Sequence, residues 1–301
     1  MYKIIGAISL KIYCESILIA CFLAFAGCQQ SNVTPTKGAV VVDVDRAVFP
    51  VIKKEKNVFD SLYVQAKLTI KEVDPLQGII DLLNGKVKMV VSTQYFNRKE
   101  SHFIDSLNLD IKRFKFCYNA IAIIGSKKNT TENIRVDEIK DALLGNSSNY
   151  NFIIPGNTTS TYSYIKDELL NGQDPKNAQI VKNDSEVVSK VEKFNDVLGI
   201  VSFNQVQDSS LIHFVQVGQL KNQSKQASNA GLNVSYFTPH PGFVLKEYYP
   251  LKQTVYIFLH EYGMSPASGF TTFLTSYEGQ KIALSQNLAP AAVPVKINES
   301  Q

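Results

Sequence analysis

Residues 38–94 read GAVVVDVDRAVFPVIKKEKNVFDSLYVQAKLTIKEVDPLQGIIDLLNGKVKMVVSTQ, and the hydrophobic period changes repeatedly along them. Ala39 to Val42 are continuously apolar and mostly β-branched, which predicts a buried strand at GAVVVDVD. In the segment that follows, Val51, Val58 and Leu62, with Ile52, Phe59 and Tyr63 beside them, recur at helical spacing. KLTIKEV reads as a second strand. DPLQGIIDLLNG is then a helix, with Asp74 as N-cap, Pro75 in the first turn and Gly85 as the stop. Proline pre-sets the first-turn φ, and glycine accepts the left-handed conformation that ends a helix. VKMVVS is a third strand, ending at the polar turn Ser92-Thr93-Gln94. Strand and helix in alternation predict a parallel sheet covered by helices on both faces, an α/β fold.

The alternation continues down the chain. AIAIIGSKKN (120–129) reads as a strand, VDEIKDALLG (136–145) as a helix, YNFIIPGN (150–157) as a strand and STYSYIKDELLNG (160–172) as an amphipathic helix. Asn204 to Ser235 is polar and weakly periodic, and reads as a long surface loop. TVYIFLHE (254–261) is a strong strand, and GFTTFLTSYEGQKIALSQ (269–286) reads as helical until Asn287. No internal repeat is evident.

The N-terminus is a different kind of segment. Lys3 and Lys11 precede an apolar run from Ser16 to Ala26 that is too short for a stable membrane-spanning helix and reads as a secretory signal. Phe25-Ala26-Gly27-Cys28 is similar to a bacterial lipobox, so cleavage before Cys28 and acylation of its thiol are expected, an uncleaved membrane anchor being the rival. Cys14 and Cys21 leave with the signal, so only Cys28 and Cys117 remain and no disulfide framework is expected. Cys117, between Phe116 and Tyr118, reads as a small buried apolar residue. The chain beyond residue 27 exceeds one ordinary core and suggests two lobes. A net charge of +4, without a basic stripe interleaved with aromatics, argues against nucleic acid.

Residues 155–161, PGNTTST, place four consecutive hydroxyl side chains, Thr158, Thr159, Ser160 and Thr161, at a helix start. One such oxygen suffices as an N-cap. The others suit an anion, because helix N-termini present unpaired N–H groups and a partial positive charge. Gly156 would let the backbone approach closely. The competing reading is a capping box or a loop that touches only water. Arg46 follows the first strand, and its guanidinium suits phosphate, sulfate or carboxylate; an ion pair with Asp43 or Asp45 is the alternative. Catalytic patterns such as HExxH, GxSxG, CxxC or a P-loop are absent, and the four histidines, His102, His213, His240 and His260, have no metal-ligand spacing. Ser163-Tyr164-Ile165-Lys166 matches Ser-x-x-Lys, a pattern expected by chance, and its companion motifs are missing. No enzyme, metal site or cofactor is expected.

Six motifs in order, DLLNGKVKMVVSTQ, AIAIIGSKKN with VDEIKDALLG, PGNTTSTYSYIKDELLNG, VLGIVSF, YPLKQTVYIFL and GFTTFLTSYEGQKIALSQNLAP, resemble the phosphate-binding lipoproteins of phosphate ABC transporters, in a divergent form common in Bacteroidetes. The resemblance implies a two-lobed type 2 periplasmic binding protein, with AIAIIG and TVYIFL at the hinge and the ligand in the cleft. It implies a signal at 1–27, a lipidated tether at 28–37, one lobe from 38–117 and 236–301, and the other from 118–235. It places the ligand against Asp45, Arg46, Ala47, Ser92, Thr93, Gly156, Asn157, Thr158, Thr159, Ser160 and Thr161. Two positions depart from the family: Asp43-Val44-Asp45-Arg46-Ala47 replaces a Gly-Ser-Thr type loop, and Ser92-Thr93-Gln94 replaces Ser-Ser-Arg or a turn containing Asp. The implied function is extracytoplasmic binding of a small oxyanion, phosphate first, by a monomer anchored to the membrane through lipid and serving an ABC permease. The alternative is a sensor or adhesin that uses the same fold to recognise a peptide, glycan or protein; Tyr236, Phe237, Tyr248 and Tyr249 fit either case, as core, hinge or exposed contacts.

Overall fold

The computed structural model describes residues 33–206, 210–219, 234–261 and 263–292. The signal segment and Cys28 lie outside these residues, as does the whole of the polar stretch KNQSKQASNAGLN. Twelve strands are described: β1 (Gly38–Asp45), β2 (Ala66–Val73), β3 (Met89–Ser92), β4 (Lys112–Ser126), β5 (Asn133–Arg135), β6 (Phe152–Pro155), β7 (Gln179–Val181), β8 (Leu198–Ser202), β9 (Ile212–Gly218), β10 (Tyr236–Phe237), β11 (Lys252–Leu259) and β12 (Ala289–Pro290). They join in the order β2-β1-β3-β11-β4-β8-β6-β7, with β5, β9, β10 and β12 off that path.

The sheet is mostly parallel within each half and antiparallel where the halves join. β1 pairs in parallel with β2 and β3, and β6 with β7 and β8, as crossover helices require. β11 runs antiparallel to both β3 and β4, and β4 antiparallel to β8. The return strands near the middle of the sheet are therefore what the alternation pattern alone did not reveal. β4 is the longest strand. Its Lys112–Ala120 stretch pairs with β11 and its Ile121–Gly125 stretch with β8, so it belongs to both halves of the sheet. It begins eight residues before AIAIIG because its first four residues, Lys112 to Lys115, are exposed and carry no continuous apolar signal.

Side-chain alternation along these strands builds a core on each face of each half. Val40, Val42 and Val44 pack under the helix Phe49–Leu62, while Val90 and Phe258 face the helix Pro75–Leu83. Ile121 and Ile123 join one core of the second half, with Ile139 and Ile165; Ala122 and Ile124 join the other, with Val187 and Val191.

Three local readings change. In Phe49–Leu62 the buried positions are Val51, Ile52, Glu55 and Phe59, and Val58 and Leu62 are exposed. The stripe facing the core is set by Phe59, whose ring lies 5.2 Å from Phe270 and 5.6 Å from Phe273, and that rotation carries Glu55 inward. The stretch read as a loop contains β9, whose Ile212, Val215 and Val217 are buried. Its apolar residues are interleaved with His213 and Gln216, which diluted the pattern. The final helical run breaks at Ser276, whose extended backbone ends Pro266–Thr275 and caps Tyr277–Ser285. Cys117 is fully buried, as its apolar neighbours suggested. No helix among the described residues is long and apolar enough to cross a membrane.

Candidate functional site

The carboxyl ends of β1, β3 and β6 open toward one place, the usual ligand position for strands of this kind. β1 ends in Asp45, which is 1% exposed. Its Oδ1 accepts from Ala47 N at 3.0 Å and from Ser160 Oγ at 2.6 Å. Its Oδ2 accepts from Thr93 N at 3.0 Å and from Thr93 Oγ1 at 2.5 Å. Three loops thus aim four uncharged donors at one carboxylate, a short and charge-assisted set. Ser160 stands 115 positions from Asp45, so this bond also ties the second half of the sheet to the first.

The other hydroxyls of PGNTTST divide between capping and a second carboxylate. Thr159 is the N-cap: its Oγ1 accepts from Tyr162 N at 3.2 Å and donates to Gly156 O at 2.8 Å. Thr161 Oγ1 donates to Asp184 Oδ1 at 2.7 Å, where Ser202 N also arrives at 2.7 Å. Burial pushes the Asp184 carboxyl above its ordinary range, against these two bonds, and the nearby Asp45 charge pushes the same way. Thr158 and Asn157 are exposed. Gly156 does approach a neighbouring backbone closely, but that backbone is the chain's own: a Cβ there would lie 3.2 Å from Val181 O. The helix that follows is one α-helical turn, Ser160–Ser163, continued as a π-helix over Tyr164–Leu169, instead of the uniform amphipathic helix expected.

Arg46 is ion-paired, with partners other than the two considered from sequence. Its Nε meets Glu72 Oε1 at 2.8 Å and its NH1 meets Asp74 Oδ1 at 3.1 Å, both carboxylates at the end of β2, and its side chain is half exposed. Ser92 is fully buried, and its Oγ accepts from Gln94 N at 3.1 Å, which shapes the turn that presents Thr93. A small cavity of about 80 Å³ is bordered by Asp45, Arg46, Ala47, Thr158 and Ser160, and also by Asp184. A larger one of about 410 Å³ shares only Thr93 with the expected set.

Several residues at the site escaped the sequence reading. Asp184 opens the helix Asp184–Lys193 behind the N-cap Asn183, and the run Asn-Asp-Ser-Glu was the available signal. Asn204 Nδ2 and Gln205 Nε2 donate to Ala47 O at 2.7 and 2.8 Å, and Gln253 Nε2 donates to Ser160 O at 3.1 Å. These amides hold the loops against each other across the two halves. Lys166 of the Ser-x-x-Lys match is committed to Asp174 at 2.8 Å. The described residues contain no group of side chains arranged for a metal ion.

The chain is similar to known binding proteins over most of its length. Phosphate-binding protein PstS of Staphylococcus aureus (strain USA300) is 18% identical over 279 residues, covering 88% of this chain and 81% of the relative. Among solved structures, a Clostridium perfringens protein crystallised with bound phosphate superposes with a TM-score of 0.67 at 20% identity, covering 85% of this chain and all of the other. An ABC-type phosphate transport receptor from Vibrio cholerae gives 0.65 at 13% identity, covering 83% of this chain and 99% of the receptor. At such identities the structural likeness establishes the fold, that of a type 2 periplasmic binding protein. A family model described as the PBP superfamily domain matches residues 29–278, and the chain therefore belongs to that family, as a divergent member.

Proposed function

We propose that the chain is an extracytoplasmic receptor for a small oxyanion that carries a proton, with inorganic phosphate as its best ligand, serving an ABC-type uptake system. The observation that carries this reading is the convergence of Ala47 N, Thr93 N, Thr93 Oγ1 and Ser160 Oγ on a single carboxylate. Neutral donors gathered from three loops recognise an anion without adding charge. Asp45 and Asp184 then select among anions. A fully ionised sulfate would bring bare negative charge against them, whereas hydrogen phosphate or a phosphonate offers an O–H that Asp45 can accept. Entry of the ligand separates Ser160 from Asp45, and closure about β4 and β11 brings the donors of both halves onto the anion. Arg46 is not a direct contact, since Glu72 and Asp74 hold its guanidinium and answer its charge.

The names of the relatives favour this receptor over a sensor or adhesin, and describe a binding protein rather than an enzyme. The reading includes cleavage before Cys28 and acylation of its thiol, which would tether a monomeric receptor beside its permease. The test is a thermal-shift screen of phosphate, sulfate, molybdate, phosphonates, carboxylates and short glycans after dialysis into an anion-free buffer. Phosphate at about a hundred times its dissociation constant adds about 2.7 kcal/mol of stability, a rise in Tm of about 5 °C or more for a chain of this size. Ser160→Ala removes one donor to a charged acceptor and should weaken phosphate binding by about tenfold or more. A response to a glycan or peptide with none to any oxyanion would refute the reading.

A further inference from the structure

The cavity of about 410 Å³ lies beyond the Asp45–Ser160 contact, between the turn Gln94–Asn97, the helical segment Ser163–Glu168 and β11. That volume is in the range of small-molecule sites, roughly 300 to 1,000 Å³. Of the anion donors, only Thr93 reaches it. Its walls are aromatic and acidic: Tyr95, Tyr164 and Tyr256 supply ring surface, and Asp167 and Glu168 stand exposed at its border. Tyr95 and Tyr256 meet edge to face at 4.9 Å. The same aromatic cluster already accepts a cation, since the Arg113 guanidinium lies 5.7 Å from the Tyr95 ring centre and 5.3 Å from that of Phe96.

Two further groups in the wall decide the ligand class. Lys252 is the cavity's own cation, but its ammonium pairs with Glu247 at 2.8 Å and lies over the Tyr118 ring at 4.8 Å, so its charge is answered elsewhere. Neither Asp167 nor Glu168 makes an ion pair among the described residues. Gln253 is 5% exposed and lines the cavity; its Nε2 is engaged with Ser160 O, while its buried Oε1 has no donor. Oε1 is sealed in this conformation, so an N–H or O–H from outside the chain pairs it once the Gln253 side chain turns into the cavity. An anion would be repelled by the two carboxylates, and a quaternary ammonium has no N–H for Gln253. A primary ammonium meets all three demands: charge for the carboxylates, N–H for Oε1 and a cation for the rings.

We propose that this compartment binds the primary ammonium group of a small organic amine. The site adjoins the anion cage, with Thr93 common to both, and does not depend on phosphate being the ligand there. Calorimetric titration of the full chain with propylammonium tests it, with choline and inorganic phosphate as parallel titrants. Saturable propylammonium binding, stronger than any for choline, is expected. Asp167→Asn with Glu168→Gln should weaken it about five- to tenfold, the scale of two exposed charges, and leave the phosphate isotherm unchanged. Gln253→Met should weaken it as well. Absence of propylammonium binding, equal affinity for choline, or binding indifferent to the Asp167→Asn/Glu168→Gln pair would overturn the inference. Propylammonium binding without phosphate binding would support it and refute the phosphate reading alone.

Discussion

Asp45→Asn separates the two duties of the central carboxylate. The amide keeps an acceptor toward Ala47 N and Ser160 Oγ, but its NH₂ faces Thr93 N and Thr93 Oγ1, where Oδ2 now accepts at 3.0 and 2.5 Å. A donor set against a buried N–H leaves that N–H unpaired, at a cost of about 1–3 kcal/mol. Taking about 2 kcal/mol, Tm should fall by about 4–8 °C for a chain of this size. Selectivity should move further. An anion seated on these donors would lie about 4 Å from the Asp45 charge, where unit charges repel by about 4 kcal/mol at an effective dielectric of about 20, and about 1 kcal/mol in water. Removing the charge should therefore raise sulfate affinity by about fivefold to a thousandfold, while phosphate keeps an acceptor for its proton. The measurement is calorimetric titration of both anions into the parent and the variant, alongside thermal unfolding. A folded variant with unchanged Tm and an unchanged phosphate-to-sulfate ratio would refute both the cage geometry and the role assigned to Asp45.

Glu55 is fully buried with neither oxygen partnered, and burial pushes its carboxyl up to about 9. The folded chain therefore holds a proton that the unfolded chain releases above about pH 4.5, so stability falls as pH rises from there toward 9. Glu55→Gln should raise Tm at pH 8 and change it little at pH 5; an equal effect at both values would place Glu55 in a wetter site. Arg46→Ala removes half-exposed ion pairs worth about 0–1 kcal/mol, so calorimetry should show phosphate affinity changed by less than about fivefold, and a hundredfold loss would make Arg46 a direct ligand. Cys28→Ser should abolish incorporation of labelled fatty acid, and labelling that persists would exclude this cysteine as the anchor.

The sequence by itself determined which segments are strands and helices from Gly38 to Ser92. Strand and helix differ there in hydrophobic period, and a period is local. Ala39 to Val42, and Pro75 with Gly85, announce their elements without help from the rest of the chain. Motif order also determined the fold, whereas the excess of hydroxyls before Tyr162 reads in sequence as a place for a bound anion, and in the structure two of those hydroxyls meet carboxylates of the chain itself. Tertiary structure decided what those hydroxyls meet. Ser160 reaches Asp45 across 115 residues, and Thr161 reaches Asp184, because the two halves of the sheet bring separate strand ends together, a distance that no spacing encodes. Arg46 turned to Glu72 and Asp74 because β1 and β2 pair in register, with Asp45 opposite Val73, placing those carboxylates beside it. Gln253 gave no signal at all. It sits in an ordinary strand, and only the packing of Ser160 against β11 buries its amide with one oxygen unpaired.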